Sequence, residues 1–278
     1  MNDLLSVKTM LLAPANHLEL FVKAKDSGAD GIIIDLEDTI ALSEKDKVRE
    51  IIIDYFKNSS PIKNFLRCLR INSIKTPAGL KDIIALIDNQ ISPDVIIIPK
   101  TEYPEEIIFL DMLLKQNPMY YIALIETAIG LHHADEIALS SKNIKGIFLG
   151  GRDLSADLGS TLTWDSMLYA RSKLVRSAAI AGIAVFDTPY FNLDDLDDSG
   201  ILEETRKVKE LGFTGKFVIH SKHIKSILEV FMSSEEDVEH AQCIIDIYEK
   251  AKGCSCEFDG KLISTTMVRA AKKKLRCK

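Results

Sequence analysis

The chain has 278 residues, 46% of them apolar and 27% charged, with a formal net charge of −6 at pH 7. This length buries a full core, as one large α/β domain or two small ones. The acidic balance argues against a nucleic-acid partner, which favours a basic face, and no apolar run reaches the length of a bilayer span, so no membrane association is expected.

At the N-terminus, MNDLLSVKTMLLAP has no basic stretch followed by an apolar one, so a cytoplasmic address is expected. Short apolar runs then predict strands at Thr9–Leu12, Gly31–Leu36, Phe65–Ile71, Val95–Ile98, Tyr121–Ile125, Gly146–Leu149, Ile183–Phe186 and Lys216–Ile219. Helical patterns lie between them. In the first, Asn16 and Glu19 have the spacing of a capping box and Gly28 supplies a left-handed stop. The joints SGADGIIID, AGIAVFD and LGFTGKFVIH repeat a helix–Gly–strand unit.

Continuous apolar strands alternating with helices predict a parallel sheet covered on both faces. Eight of them fit an α/β fold of the (β/α)8 TIM barrel type over residues 1–232. A doubly wound open sheet is the rival, but no G-x-G-x-x-G follows the first strand. From 233 to 278 a helix with Ser234 as cap, a hairpin-like CSCEFDGKLIS and a last helix predict a C-terminal helical extension. Its basic tail, VRAAKKKLRCK, suits a helix C-terminus. The five cysteines, Cys68, Cys243, Cys254, Cys256 and Cys277, read as reduced thiols, since the Cys254–Cys256 spacing is not that of a zinc knuckle.

In a barrel, chemistry collects at the C-terminal ends of the strands. This sequence places Asp35, Glu37 and Asp38 after the second strand, Arg70 and Asn72 after the third, Lys100 after the fourth and Glu126 after the fifth. Arg152 and Asp153 follow the sixth, Asp187 the seventh and His220 the eighth. From Glu37 to His220 the successive intervals run from 26 to 34 residues, one βα unit each. Neighbouring strands are about 4.8 Å apart, so Glu126 and Asp153 can reach one cation from two sides. Two carboxylates completed by waters and substrate oxygens suit Mg²⁺; without a cation they would repel, and one would keep a proton. The plainer alternative is that each carboxylate caps the helix after it. His132 and His133 read as helix surface or packing, His220 and His223 as capping neighbours with His220 also able to line the site, and Trp164 as packing.

These segments carry a resemblance. LLAPAN, GADGIIIDLEDTI, KDKVRE, LRINSIKTPAGLKDI, IIIPKT, ALIETAIGL, GGRDLSADLG, AGIAVFDTPYFNLDD, LGFTGKFVIHSKHI and FDGKLIS occur in order along nearly the whole chain. The chain resembles the citrate lyase beta subunit-like group of the aldolase/citrate lyase superfamily, with malyl-CoA and citramalyl-CoA lyases as relatives. The resemblance implies a TIM barrel that binds Mg²⁺ through Glu126 and Asp153. It implies that Arg70 contacts a substrate carboxylate or carbonyl and that Asp35, Glu37 and Asp38 support the water shell of the metal. It also implies C–C bond cleavage or formation in a 3-hydroxy acid or its acyl-CoA thioester, and a homo-oligomer of trimers or larger, with the C-terminal extension on a neighbouring subunit.

The expected site is therefore Arg70, Glu37 and Asp38 as catalytic groups, Arg70, Lys100, Asp187 and His220 as substrate-binding groups, and Glu126 and Asp153 as metal ligands. The chain departs from the family pattern at Ser264, where relatives carry an Asp that serves a neighbouring site as acid/base. It departs again at Arg152, where an acidic residue is usual, and at Lys8-Thr9 before the first strand. Serine cannot act as a carboxylate base, so these departures point to a shifted substrate. A ligand-binding or regulatory barrel, or a thioester hydrolase, are the alternatives.

Overall fold

The computed structural model describes residues 3–115, 119–195, 197–232, 235–258 and 261–276. Eight parallel strands pair strictly in chain order: β1 (Met10–Pro14), β2 (Gly31–Asp35), β3 (Leu66–Arg70), β4 (Val95–Ile98), β5 (Tyr120–Ile125), β6 (Ile144–Leu149), β7 (Ala184–Asp187) and β8 (Gly215–Lys216). The sheet closes on itself where Val218 bridges Leu11 in parallel and Leu12 N–H donates to Val218 O at 2.8 Å. The expected (β/α)8 barrel is thus formed, with the eighth strand shorter than the apolar run suggested. Among the described residues no helix is long and apolar enough to cross a membrane.

The connecting helices are α1 (Glu19–Asp26), α2 (Lys45–Asn58), α3 (Pro77–Asn89), α4 (Pro104–Leu113), α5 (Ala128–His132) and α6 (Ala134–Leu139). They continue with α7 (Gly151–Asp157), α8 (Trp164–Ala181), α9 (Ser199–Leu211) and α10 (Ile224–Phe231). Gly28 (φ 83°), Gly182 (φ 69°) and Gly212 (φ 112°) end α1, α8 and α9 in the left-handed region, so the helix–Gly–strand repeat is a repeat of one stop signal. The capping box expected at Asn16 and Glu19 does not form. The chain leaving β1 first makes a turn, His17 N–H to Pro14 O at 3.0 Å, which delays the helix to Glu19; that carboxylate meets His17 Nδ1 at 2.8 Å instead.

Both faces of each strand are buried, and the alternation of side chains sorts them into two cores. Met10, Ile33, Cys68, Ile97, Ile122 and Leu124 point into the barrel, where Phe148, Phe186 and Phe217 close the packing with ring centroids 4.4–4.6 Å apart. Ile32, Ile34, Ile96, Ile98, Tyr121 and Ala123 point outward to the helices. This parity decides which strand-end residues enter the site.

Beyond the barrel lie α11 (Glu235–Lys250), the antiparallel hairpin β9 (Cys256–Phe258) and β10 (Lys261–Ile263), and α12 (Thr265–Arg276). Ala241, Ile244, Ile245, Ile263, Val268 and Ala271 give this extension an apolar cluster of its own. The Ser234 cap and Cys277 lie outside the described residues. Thr265, Val268 and Arg269 share a cavity with Gly182, Ile183 and Thr214, so the extension sits at the N-terminal ends of the strands.

Candidate active site

Three strand-end residues continue the inward-facing set. Asp35 is two residues beyond Ile33, Arg70 two beyond Cys68, and Glu126 two beyond Leu124, so each enters the C-terminal mouth of the barrel. Arg70 is 7% exposed and held bidentately by Asp35, Nε to Oδ1 at 2.6 Å and Nη2 to Oδ2 at 2.7 Å. Asp35 also accepts from Glu37 N–H, Thr39 N–H and Thr39 Oγ1. Burial opposes its charge, but Arg70 and these donors more than offset this and hold its carboxyl below the usual range. Asp35 has no oxygen left for a water shell. Its work is to aim Arg70, whose Nη1 lies 3.4 Å from Glu37 Oε2 and 4.0 Å from Asp38 Oδ2.

Glu37 is 5% exposed. Its Oε1 pairs with Lys100 Nζ, which is also 3.4 Å from Asp38 Oδ1, while its Oε2 is buried without a hydrogen bond. Burial raises its pKa, with Arg70 and Lys100 pulling the other way. Lys100 has a left-handed backbone, φ 50°, an uncommon conformation for a side chain of this size. That twist points its N–H at Glu126 Oε1, 2.8 Å away.

Glu126 is 1% exposed. Its pKa rises to about 8, from burial first and then from the Glu37 and Asp153 charges; Lys100 offsets only part of this. Asp153 lies in the first turn of α7 and is exposed. Gly150 lies against Glu126: an added Cβ there would lie 2.5 Å from Glu126 Cβ and 2.7 Å from Oε2, so only glycine allows this approach. Neither carboxylate caps a helix: Thr127 Oγ1 caps α5, and α7 has no side-chain cap. Among the described residues no group of three or more His, Cys, Asp or Glu could hold a metal ion. The two carboxylates Glu126 and Asp153 suit an ion that keeps waters and substrate oxygens as its other ligands. Glu126 is a buried carboxylate raised to about 8 by burial first and then by two like charges, so a cation beside it would favour its charged form.

Asp187 differs from the sequence expectation. It is fully buried and pairs with Arg171 Nε at 2.9 Å and Lys216 Nζ at 2.9 Å, leaving no surface for a ligand. The reason is parity: Ala184 and Phe186 face into the barrel, so Val185 and Asp187 face the helices. His220 is exposed, and its Nδ1 accepts from Lys222 N–H at 3.1 Å, capping the short 3-10 turn Ser221–His223. His132 and His133 end α5, with His133 Nδ1 on Glu102 O. Arg152 stacks on Phe191, 3.8 Å from its centroid, and Trp164 packs under Arg171.

Sequence reasoning missed two supports. Lys45 Nζ donates to Leu36 O, Glu37 O and Asn72 Oδ1, tying the Asp35–Asp38 loop to β3. Asn72 is in turn fixed by Asp82 through its N–H and Nδ2, both at 2.8 Å. Lys45 stands in the KDKVRE segment, and its spacing from the loop gave no sign of the contact.

Known proteins share this sequence pattern and fold. The HpcH/HpaI aldolase/citrate lyase family profile matches residues 8–221. Citrate lyase subunit beta of Leuconostoc mesenteroides subsp. cremoris is 33% identical over 256 residues, 88% of this chain and 83% of that protein. Human mitochondrial citramalyl-CoA lyase is 29% identical and covers 95% of this chain, 83% of its own length. CitE of Mycobacterium tuberculosis, solved with magnesium, acetoacetate and coenzyme A, superposes with a TM-score of 0.79 at 27% identity, covering 99% of both chains. With the profile spanning all eight strands and relatives matching beyond it, this chain belongs to the HpcH/HpaI aldolase/citrate lyase family.

Proposed function

We propose that the protein is a Mg²⁺-dependent carbon–carbon lyase acting on a hydroxy acid or its CoA ester, with Glu126 and Asp153 as the metal ligands. The observation that carries this is Glu126, a carboxylate 1% exposed at the end of β5, with Lys100 N–H on its Oε1 and the side-chain-free Gly150 against its Oε2. When bound, Mg²⁺ supplies Lewis-acid polarisation of the substrate's hydroxyl and carboxylate oxygens. Arg70, immobilised by Asp35, turns Nη1 toward planar substrate oxygens, and its permanent charge stabilises negative charge that develops there.

In cleavage the hydroxyl loses its proton, the C–C bond breaks to an oxo acid and an enolate, and a proton returns to the enolate carbon. Glu37 Oε2, buried, with no hydrogen bond and 3.4 Å from Arg70 Nη1, is the chain's own atom able to carry such a proton, and Asp38 stands beside it. Lys100 holds Glu37 in place and keeps its own charge: burial works against that charge, but Glu37 and Asp38 raise its pKa above the ordinary lysine range. Lys100, and His220 through the ring nitrogen that its turn leaves unused, would bind the remainder of the substrate. Ser264 precedes α12, at the far end of the barrel from this site, so any part it plays is in a neighbouring subunit's site. The same reading makes the protein a cytoplasmic homo-oligomer, with residues 233–278 packed on a neighbour.

The test is metal binding followed by thermal melting. Wild-type protein should gain stability with Mg²⁺ and gain more with Mg²⁺ plus an oxo acid. Glu126→Gln and Asp153→Asn should lose at least tenfold in Mg²⁺ affinity; unchanged affinity in both would remove the metal assignment.

A further inference from the structure

The cations of the barrel mouth are held by the protein's own oxygens. Asp35 holds Arg70, Glu37 and Asp38 hold Lys100, and Glu102 and Glu106 hold Lys75. Lys45 donates to two carbonyls and Asn72, and Lys222 to Leu193 O. Arg152 differs. It is exposed, and among the described residues no carboxylate, carbonyl or hydroxyl holds its guanidinium. What holds it is the Phe191 ring, 3.8 Å from Cζ to the centroid. At that separation the planar guanidinium lies over the ring face, and the N–H donors on its rim stay unused. The side chain is positioned while its charge and its fork of donors remain open to a ligand.

The backbone sets its place. Arg152 stands one residue before Asp153 and two after Gly150, the glycine that lies against Glu126. The same turn is pinned to the end of β7. Gly151 N–H donates to Thr188 Oγ1 at 3.3 Å, and an added Cβ on Gly151 would lie 3.0 Å from the Thr188 side chain. Phe191 follows three residues after Thr188. Eight strands paired in chain order put β3 opposite β7. Arg70, from β3, and Arg152, on the loop beyond β7, therefore flank the Glu126–Asp153 pair from opposite sides.

We propose that Arg152 is a specificity-determining residue of the lyase: it pairs with a second carboxylate on the half of the substrate that leaves as the oxo acid, so that this half is dicarboxylic. On the metal-lyase reading above, on which this rests, the hydroxyl and carboxylate oxygens of that half go to the cation, and Arg152 is next in the chain to a ligand of it. A planar carboxylate matches the two parallel N–H donors of a guanidinium edge. A phosphate of a CoA carrier is the other anion to consider, but the whole pantetheine arm separates it from the reacting carbons. A monocarboxylic oxo acid would leave the edge of Arg152 to water and forgo its charge-assisted hydrogen bonds.

The test is calorimetric binding of oxaloacetate and pyruvate, which differ by one carboxylate, at saturating Mg²⁺. Wild type should bind oxaloacetate about tenfold or more tightly than pyruvate, the contribution expected of hydrogen bonds to a charged group. The ratio of the two affinities should fall about fivefold or more in Arg152→Gln, and by less in Arg152→Lys, which keeps the charge without the fork. Phe191→Leu, which removes the ring and leaves the arginine, should lower the ratio too. Effects on folding or on the metal change both affinities together and cancel in the ratio. A wild-type ratio near one, or a ratio that Arg152→Gln leaves unchanged, would overturn the role of Arg152 and leave the metal site standing, because both acids still bind with Mg²⁺. Acetyl-CoA binding that weakens in Arg152→Gln while the ratio holds would overturn it in favour of a carrier phosphate. Failure of both acids to bind with Mg²⁺ would overturn the lyase reading along with it.

Discussion

At Gly150 the fold and the metal site meet within one residue. Its N–H holds the β5 end through Ile125 O at 2.9 Å, and its missing side chain is the space that Glu126 fills. Gly150→Ala should displace the Glu126 carboxylate and weaken Mg²⁺ binding about tenfold or more while leaving the barrel folded; calorimetric titration with Mg²⁺ measures this. Glu126 also sets a pH dependence. Its folded pKa of about 8 lies above its ordinary 4.5, so metal-free folded protein holds a proton that the unfolded chain has released between those values. The stability from that proton is complete below about 4.5 and is lost as pH rises through about 8. Mg²⁺ takes the deprotonated carboxylate, so its affinity should rise about tenfold per pH unit between pH 6 and 8. Titrations at pH 6, 7 and 8 measure it, and Glu126→Gln should remove the fall in metal-free stability that wild type shows as pH approaches 8.

Among the elements, β7 and β8 show what parity does. Asp187 and Lys216 leave the barrel interior and meet Arg171 of α8 and Glu204 of α9, Lys216 Nζ reaching Glu204 Oε1 at 2.7 Å. Lys216 also donates to Thr188 O at 2.5 Å, and Thr188 Oγ1 accepts from Gly151 N–H at the start of α7. The cluster is structural. Lys216→Met should cost about 3–5 kcal/mol in denaturant unfolding because it leaves Asp187 short of a buried partner. It should leave Mg²⁺ affinity within about threefold; a larger loss of affinity at unchanged stability would put Asp187 back in the site. The apolar runs located all eight strands because burial on both faces requires continuous Val, Ile and Leu. The same continuity hid the direction of each strand end. Only the alternation of Ala184 and Phe186 against Val185 and Asp187 carries it, and an apolar run with no polar face does not say which parity is inside.

For the whole molecule, eight βα units in chain order and one bridge between Leu11 and Val218 make the barrel, and the strand-end rule then brings Arg70, Glu37, Asp38, Lys100 and Glu126 together. That much was legible in the sequence, because spacing by whole βα units fixes which ends are neighbours. The clamp of Asp35 on Arg70 and the tie of Lys45 to Asn72 were not legible, since both join residues from separate elements through side-chain directions that spacing does not encode. The same holds for the unexpected start of α1, where a turn displaced the predicted cap. The chemistry this assembly supports is the breaking of a carbon–carbon bond. The most direct measurement incubates wild-type protein and Mg²⁺ with malyl-CoA, citramalyl-CoA and free hydroxy acids, and follows oxo acid and free thiol separately. Oxo acid without thiol should form from at least one of them, abolished by chelator and restored by Mg²⁺. Thiol release without oxo acid, or turnover that survives the chelator, would contradict it.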